Sequence, residues 1–239
     1  KNEDPLTLSD NRVYNVYEDR NGTIWVKTIL SVDKLNDDKK TFTRYPHFND
    51  LFTFATDPAD FDIFEDSQGI LWVGTKDGLC FLDRKLNIYK RFVNDPLDSE
   101  SVSGDKIKCI YEDSKENLWI GTDNGLNLYN RNTKKFIRFF DKPNNGKKLL
   151  SSVVTVIAED RTGILWIGTD VGFSSFDPKS HTLTNYDDLS FNGEKVISPL
   201  VTSFFEDRAG ILWIGSFQGL IKWDRKPNKF KLFSRDEGG

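Results

Sequence analysis

The residues best placed to do chemistry in this chain are five Glu-Asp pairs: Glu18-Asp19, Glu65-Asp66, Glu112-Asp113, Glu159-Asp160 and Glu206-Asp207. Adjacent carboxylates can hold a divalent cation through oxygen, or divide general acid and general base work between them. Each pair precedes a tryptophan by seven and six residues, and Trp25, Trp72, Trp119, Trp166 and Trp213 follow one another at intervals of 47. A reaction centre is one place, whereas this feature recurs in every copy of a unit. The pairs are therefore read as scaffold: Asp caps a turn through its side chain, and Glu is solvated. The tryptophans are read as core, and so is Trp223, which stands out of their phase. No catalytic residue is assigned.

Other chemistries find less support. His47 and His181 lie at different phases of the repeat, in polar connections. Neither they nor Cys80 and Cys109 show the ligand spacing of a zinc site, so no metal and no cofactor is expected. The two cysteines fall on different strands and are read as buried, reduced thiols. The Gly-Thr-x-x-Gly stretches lack the Gly-Lys-Ser/Thr ending of a phosphate loop, and no Gly-x-Ser-x-Gly elbow is present. A net charge of −4 gives no footprint for nucleic acid, and no apolar run approaches the roughly 18 residues of a membrane span. The opening Lys1-Asn2-Glu3-Asp4 does not read as a signal peptide.

The elements that carry these residues follow from the repeat. Gly22, Gly69, Gly163 and Gly210 stand three before their tryptophans, with Glu116 as the exception. Two and six residues after Trp come Gly74 and Gly78, Gly121 and Gly125, Gly168 and Gly172, Gly215 and Gly219. The first copy has Lys27 and Ser31 there, so its turn is either built differently or strained. In the fourth copy the pattern predicts strand A over 153–158, strand B over 164–169, strand C over 173–176 and strand D over 182–186, with turns between them. Short strands, apolar on both faces of B and C, suit a four-stranded blade packed between neighbours. The expected fold is all-β, a β-propeller of five blades over about 8–47, 55–94, 102–141, 149–188 and 196–235. It forms one domain or a fragment, and the ring is either closed or part of a larger one.

Variation between copies concentrates in loops, where a repeat scaffold carries its specificity. The B–C turns hold Lys76-Asp77, Asp123-Asn124, Asp170-Val171 and Phe217-Gln218. They are expected to share a face with the D–A connections, which include residues 95–105 and 192–199. Lys76, Asp77, Asp123, Asn124, Asp170, Phe217 and Gln218 are the candidate ligand-binding residues.

The stretch VTVIAEDRTGILWIGTDVGFSSFD resembles the two-component regulator propeller repeat. So do DIFEDSQGILWVGTKDGLCFLD, SFFEDRAGILWIGSFQGLIKWD and the lead-ins NDPLDSESVSGDKI and NEDPLTLSDNRV. That family occurs mostly in extracytoplasmic sensor regions of hybrid two-component histidine kinases, notably of Bacteroides-type bacteria, and many members respond to glycan breakdown products. The resemblance implies a periplasmic, ligand-sensing segment of an inner-membrane sensor. On that resemblance the segment itself is expected not to be an enzyme, an oligosaccharide is the expected ligand, and self-association with other sensor chains is expected. It transfers no binding residue, because the motif consists of scaffold positions. Its propellers typically have seven blades, from which five copies depart. Two other readings compete: a non-catalytic interaction or dimerisation scaffold, and a propeller lyase or glycosidase.

Overall fold

The computed structural model describes residues 6–28, 30–45, 62–83, 88–139, 148–186, 190–191, 194–195, 200–226 and 229–234. Their regular elements are all strands. The first sheet contains β1 (Val13–Glu18), β2 (Ile24–Thr28), β3 (Val32–Leu35) and β4 (Phe42–Arg44). The second contains β5 (Ile63–Glu65), β6 (Ile70–Thr75), β7 (Gly78–Asp83) and β8 (Ile88–Phe92). The third contains β9 (Ile107–Glu112), β10 (Leu118–Thr122), β11 (Gly125–Asn130) and β12 (Lys135–Phe139). The fourth contains β13 (Val154–Glu159), β14 (Leu165–Thr169), β15 (Gly172–Asp177) and β16 (Thr182–Tyr186). A two-stranded ribbon, β17 (Ser190–Phe191) with β18 (Glu194–Lys195), precedes the fifth sheet of β19 (Val201–Glu206), β20 (Leu212–Ser216), β21 (Gly219–Asp224) and β22 (Lys229–Phe233).

Each four-stranded sheet is a meander with its strands in chain order. The five sheets are the blades of a β-propeller fold. Register repeats with the sequence: Trp166 faces Ala158 on one side and Ser175 on the other, as Trp213 faces Phe205 and Lys222. Burial explains the strand sequences. All five residues of β10 and of β14 are buried, so both faces of these central strands carry apolar side chains. The outermost β16 alternates, with Leu183 buried between exposed Thr182 and Thr184, as a half-covered strand does.

Two compact units divide the chain, Lys1–Asn94 with Asp105–Ile110 and Asp95–Gly104 with Tyr111–Gly239. Each unit builds a core from consecutive copies. In the first unit, Trp25 and Val32 of one blade pack with Ile63, Leu71, Val73, Cys80 and Leu82 of the next. In the second, Trp166 and Phe173 pack with Val201, Leu212, Ile214, Ile221 and Trp223. The rings of Trp166 and Trp223 meet edge-on, with centroids 5.4 Å apart. Truncating such a tryptophan to Ala costs about 3–5 kcal/mol. The core reading thus holds for Trp25, Trp72, Trp119, Trp166 and Trp223, all buried, while Trp213 is half-buried.

Candidate functional site

At the end of each blade where strand A turns into strand B, the Asp of the Glu-Asp pair does two jobs. In the third copy Asp113 Oδ1 accepts the backbone N–H of Lys115 and of Asn117, both at 2.9 Å. Its Oδ2 accepts the indole N–H of Trp119 at 2.9 Å. The same indole bond joins Asp19 to Trp25, Asp66 to Trp72, Asp160 to Trp166 and Asp207 to Trp213. A buried indole N–H needs an acceptor, so the six-residue spacing between Asp and Trp is one device. The bond from Trp213 holds the Asp207 carboxyl below the usual carboxylate range. Burial works against ionisation of Asp160, but bonds from Thr162, Trp166 and Arg225 outweigh it and keep that carboxyl low as well.

The turn closes through a left-handed residue: Gly22, Gly69, Gly163 and Gly210 have φ of 76°, 78°, 85° and 82°. Glu116 occupies the same place at φ 64° and carries the cost that glycine avoids.

The expectation that the Glu of each pair is solvated holds only for exposed Glu18. Glu65 is buried, and its Oε2 accepts the N–H of Arg20 in the preceding blade at 2.7 Å. Glu159 likewise accepts from Ser114 N at 2.6 Å, and Glu206 from Arg161 N at 2.9 Å. These carboxylates latch one blade to the next. The backbone N–H groups they accept lie in the preceding blade, so the sequence of a single copy does not show these partners. Arg225 adds ion pairs to Asp160 and Glu206 and lies over the Trp166 ring at 5.7 Å.

The opposite end of strand B is built on backbone. Thr75 Oγ1 donates to Gly78 O at 2.7 Å and accepts the N–H of Asp77 at 3.1 Å. Thr122 with Gly125 and Asn124, Thr169 with Gly172 and Val171, and Ser216 with Gly219 and Gln218 repeat the pattern. Gly78, Gly125, Gly172 and Gly219 have φ between 122° and 143°, and a Cβ on Gly78 would lie 2.5 Å from Phe92 O. The first copy resolves to a differently built turn. Thr28 still bonds Ser31 O, but Ser31 is buried, its hydroxyl donates to Asp33 and is hydrogen-bonded to the Ser9 hydroxyl, and it is not among the positive-φ residues.

The candidate residues therefore project from turns whose shape does not depend on them. In the first unit, Lys76 and Asp77 lie 3.7 Å apart, both about one-third exposed. The Asp77 carbonyl accepts the guanidinium of Arg91. In the second unit, Asn124 Nδ2 donates to Ser103 O in the D–A connection at 2.8 Å. Asp123 sits half-buried beside Gly104. Asp170 Oδ1 is buried without a hydrogen-bond partner among the described residues. Phe217 is 77% exposed beside exposed Gln218, while its N–H donates to Leu200 O at 3.1 Å. The B–C turns of the third and fifth blades thus meet the chain that leads into strand A of their own blades. The connection at 192–199 lies outside the described residues apart from β18, and so does His47.

His181 sits in a surface turn at φ 54°. Both cysteines are buried and free, and burial pushes the Cys80 thiol up to about 11. Among the described residues, no three His, Cys, Asp or Glu side chains are placed to hold a metal ion. No helix there is long and apolar enough to cross a membrane.

Sequence reasoning missed a cleft of about 350 Å³ between the fourth and fifth blades. Ala158, Arg161, Trp166, Phe204, Phe205 and Glu206 line it, at the A–B end. The signal was available: Ala158 stands at the phase of Tyr17 and Tyr111.

The sequence pattern of the two component regulator propeller family matches residues 7–29, 57–77, 101–124, 148–171 and 196–218. The chain belongs to that family. The last four matches end on the second variable residue of the B–C turn, at 77, 124, 171 and 218, so the family pattern covers the capped A–B turn, strand B and the start of the B–C turn. No curated protein matches the chain. Among solved structures it resembles the extracellular domain described as that of a hybrid two component system from B. thetaiotaomicron, with 19% identity and a TM-score of 0.71 over 95% of this chain and 30% of that one. A second extracellular domain from B. thetaiotaomicron, described as that of a one component system, has 22% identity and a TM-score of 0.67 over 99% and 32%. Virginiamycin B lyase of Staphylococcus aureus, in an inactive form with quinupristin, has 15% identity and a TM-score of 0.64 over 96% and 72%. At these identities the likeness is one of fold. The chain spans about a third of the length of the first two.

Proposed function

We propose that this chain is the ligand-sensing propeller segment of a two-component sensor, held outside the cytoplasm, in the periplasm, and that it reads a glycan-derived oligosaccharide on its B–C turns. Family membership supports the sensor role. The observation that carries the ligand reading is the construction of those turns. Thr or Ser and Gly fix the backbone, so the side chains at 76–77, 123–124, 170–171 and 217–218 are free to differ between copies. The exposed ring of Phe217 beside the Gln218 amide offers what a sugar uses, an apolar face next to a hydrogen-bonding group. On this reading the segment performs no catalysis, and the kinase of the full-length sensor lies elsewhere in it.

Calorimetric titration with a panel of glycan oligosaccharides tests the reading. A saturable heat is expected with one class of sugar, weakened about tenfold or more by Phe217→Ala. A folded sample that gives no heat with any sugar would overturn it. A second reading, an interaction scaffold through which sensor chains associate, draws on the 97% exposure of Leu97. Light scattering that shows association lost on Leu97→Ser would favour it.

A further inference from the structure

Two seams between blades contain a phenol that a third lacks. In the first unit the Tyr17 hydroxyl accepts the N–H of Glu65 at 3.2 Å. In the second, the Tyr111 hydroxyl accepts the N–H of Glu159 at 3.1 Å. The need for this acceptor comes from sheet geometry. Strand A is an edge strand, and the N–H of the Asp after each Glu bonds to strand B. Alternation along an antiparallel pair then turns the Glu N–H outward. Glu206 meets the same condition, since Asp207 N bonds Ile211 O at 2.9 Å and β19 is the edge strand of its sheet. The residue that should supply the phenol is Ala158.

The result is the cleft of about 350 Å³ lined by Ala158, Trp166, Phe204 and Phe205. Phe205 is 66% exposed. The charged groups at its rim are already matched. Glu206 holds the backbone and guanidinium of Arg161 as well as Arg225, and Arg161 also reaches Asp207 O and Arg208 O. A charged ligand gains nothing there. What the cleft leaves over is aromatic surface and one outward N–H donor, a combination that selects a neutral ring bearing one acceptor oxygen.

We propose that this cleft binds a phenol ring, seated where the tyrosine of the other seams would stand, with its oxygen accepting the N–H of Glu206. The ring belongs either to a small free phenol or to a tyrosyl side chain. The site lies at the end of strand B opposite the B–C turns, so it does not depend on the oligosaccharide reading.

The experiment is an amide NMR titration of the whole chain with p-cresol, N-acetyltyrosinamide and toluene. Saturable movement of the Glu206 amide with p-cresol is expected, with toluene binding about fivefold more weakly for want of the hydrogen bond. Binding of p-cresol alone identifies a free phenol as the source, and binding of both phenols admits a tyrosyl side chain. Ala158→Tyr should abolish the shift. Ala158→Phe should also block binding, yet leave the Glu206 amide exchanging with solvent faster than in Ala158→Tyr. A Glu206 amide that does not respond, equal affinities for p-cresol and toluene, or undiminished titration of Ala158→Tyr would each overturn the proposal.

Discussion

The two ends of strand B are held by different parts of the molecule. At the A–B end the side chains make the structure: Asp caps, indole donates, and Glu reaches the neighbouring blade. At the B–C end the turn backbone rests on one hydroxyl and one glycine, and the side chains between them take no part in that closure. One end therefore repeats because each residue has a partner that another residue type would lose. The other varies because its residues have few obligations. Substitution should expose this asymmetry directly.

The largest effect is expected for Asp113→Ala. It removes acceptors from two backbone N–H groups and leaves the Trp119 indole N–H buried without a partner. The loss should be about 3 kcal/mol or more, read from urea unfolding followed by tryptophan fluorescence. Next comes Gly78→Ala, at φ 130° with Phe92 O in the way of the new Cβ. It should cost about 1–3 kcal/mol in the same assay, which would show that the B–C end is strict in its glycine although lax in its neighbours. Glu116→Gly should act in the opposite direction and raise stability by about 1 kcal/mol, since the third copy alone places a side chain at the left-handed turn position. The smallest effect is expected for Asp123→Ala, within about 0.5 kcal/mol of the parent. A cost near that of Asp113→Ala would erase the distinction between the two ends.

The repeat made the blades legible, because strand length, turn glycines and apolar phase all agree from copy to copy. The role of Asp in the turn was also readable, since Asp two residues before a turn N–H is a local arrangement. Its bond to tryptophan was not, because the six-residue spacing gains meaning only once two strands are paired. Glu was misread for the same reason at longer range: its partner lies 45 residues away, in another copy. The cleft at Ala158 was hidden by attention to what recurs, when the informative residue was one that failed to recur. The B–C candidates were placed correctly on their turns, and Asn124 meets its own D–A connection. The sequence could not show that Asp170 keeps a carboxylate oxygen from solvent.

The Glu latch also bears on how such a chain folds. Within each unit the bonds it makes to the preceding blade join residues 45 apart, and the tyrosine bonds join residues 48 apart. Within a unit, each blade latched in this way closes a loop of nearly constant size and meets nearly the same entropic barrier. Assembly becomes a zipper with equal steps, in which a completed blade lowers the barrier only for its immediate neighbour. The contact distances along the chain are long enough to make each step slow, but they do not lengthen as copies accumulate. A tandem duplication of this gene segment would therefore bring its own fastening with it.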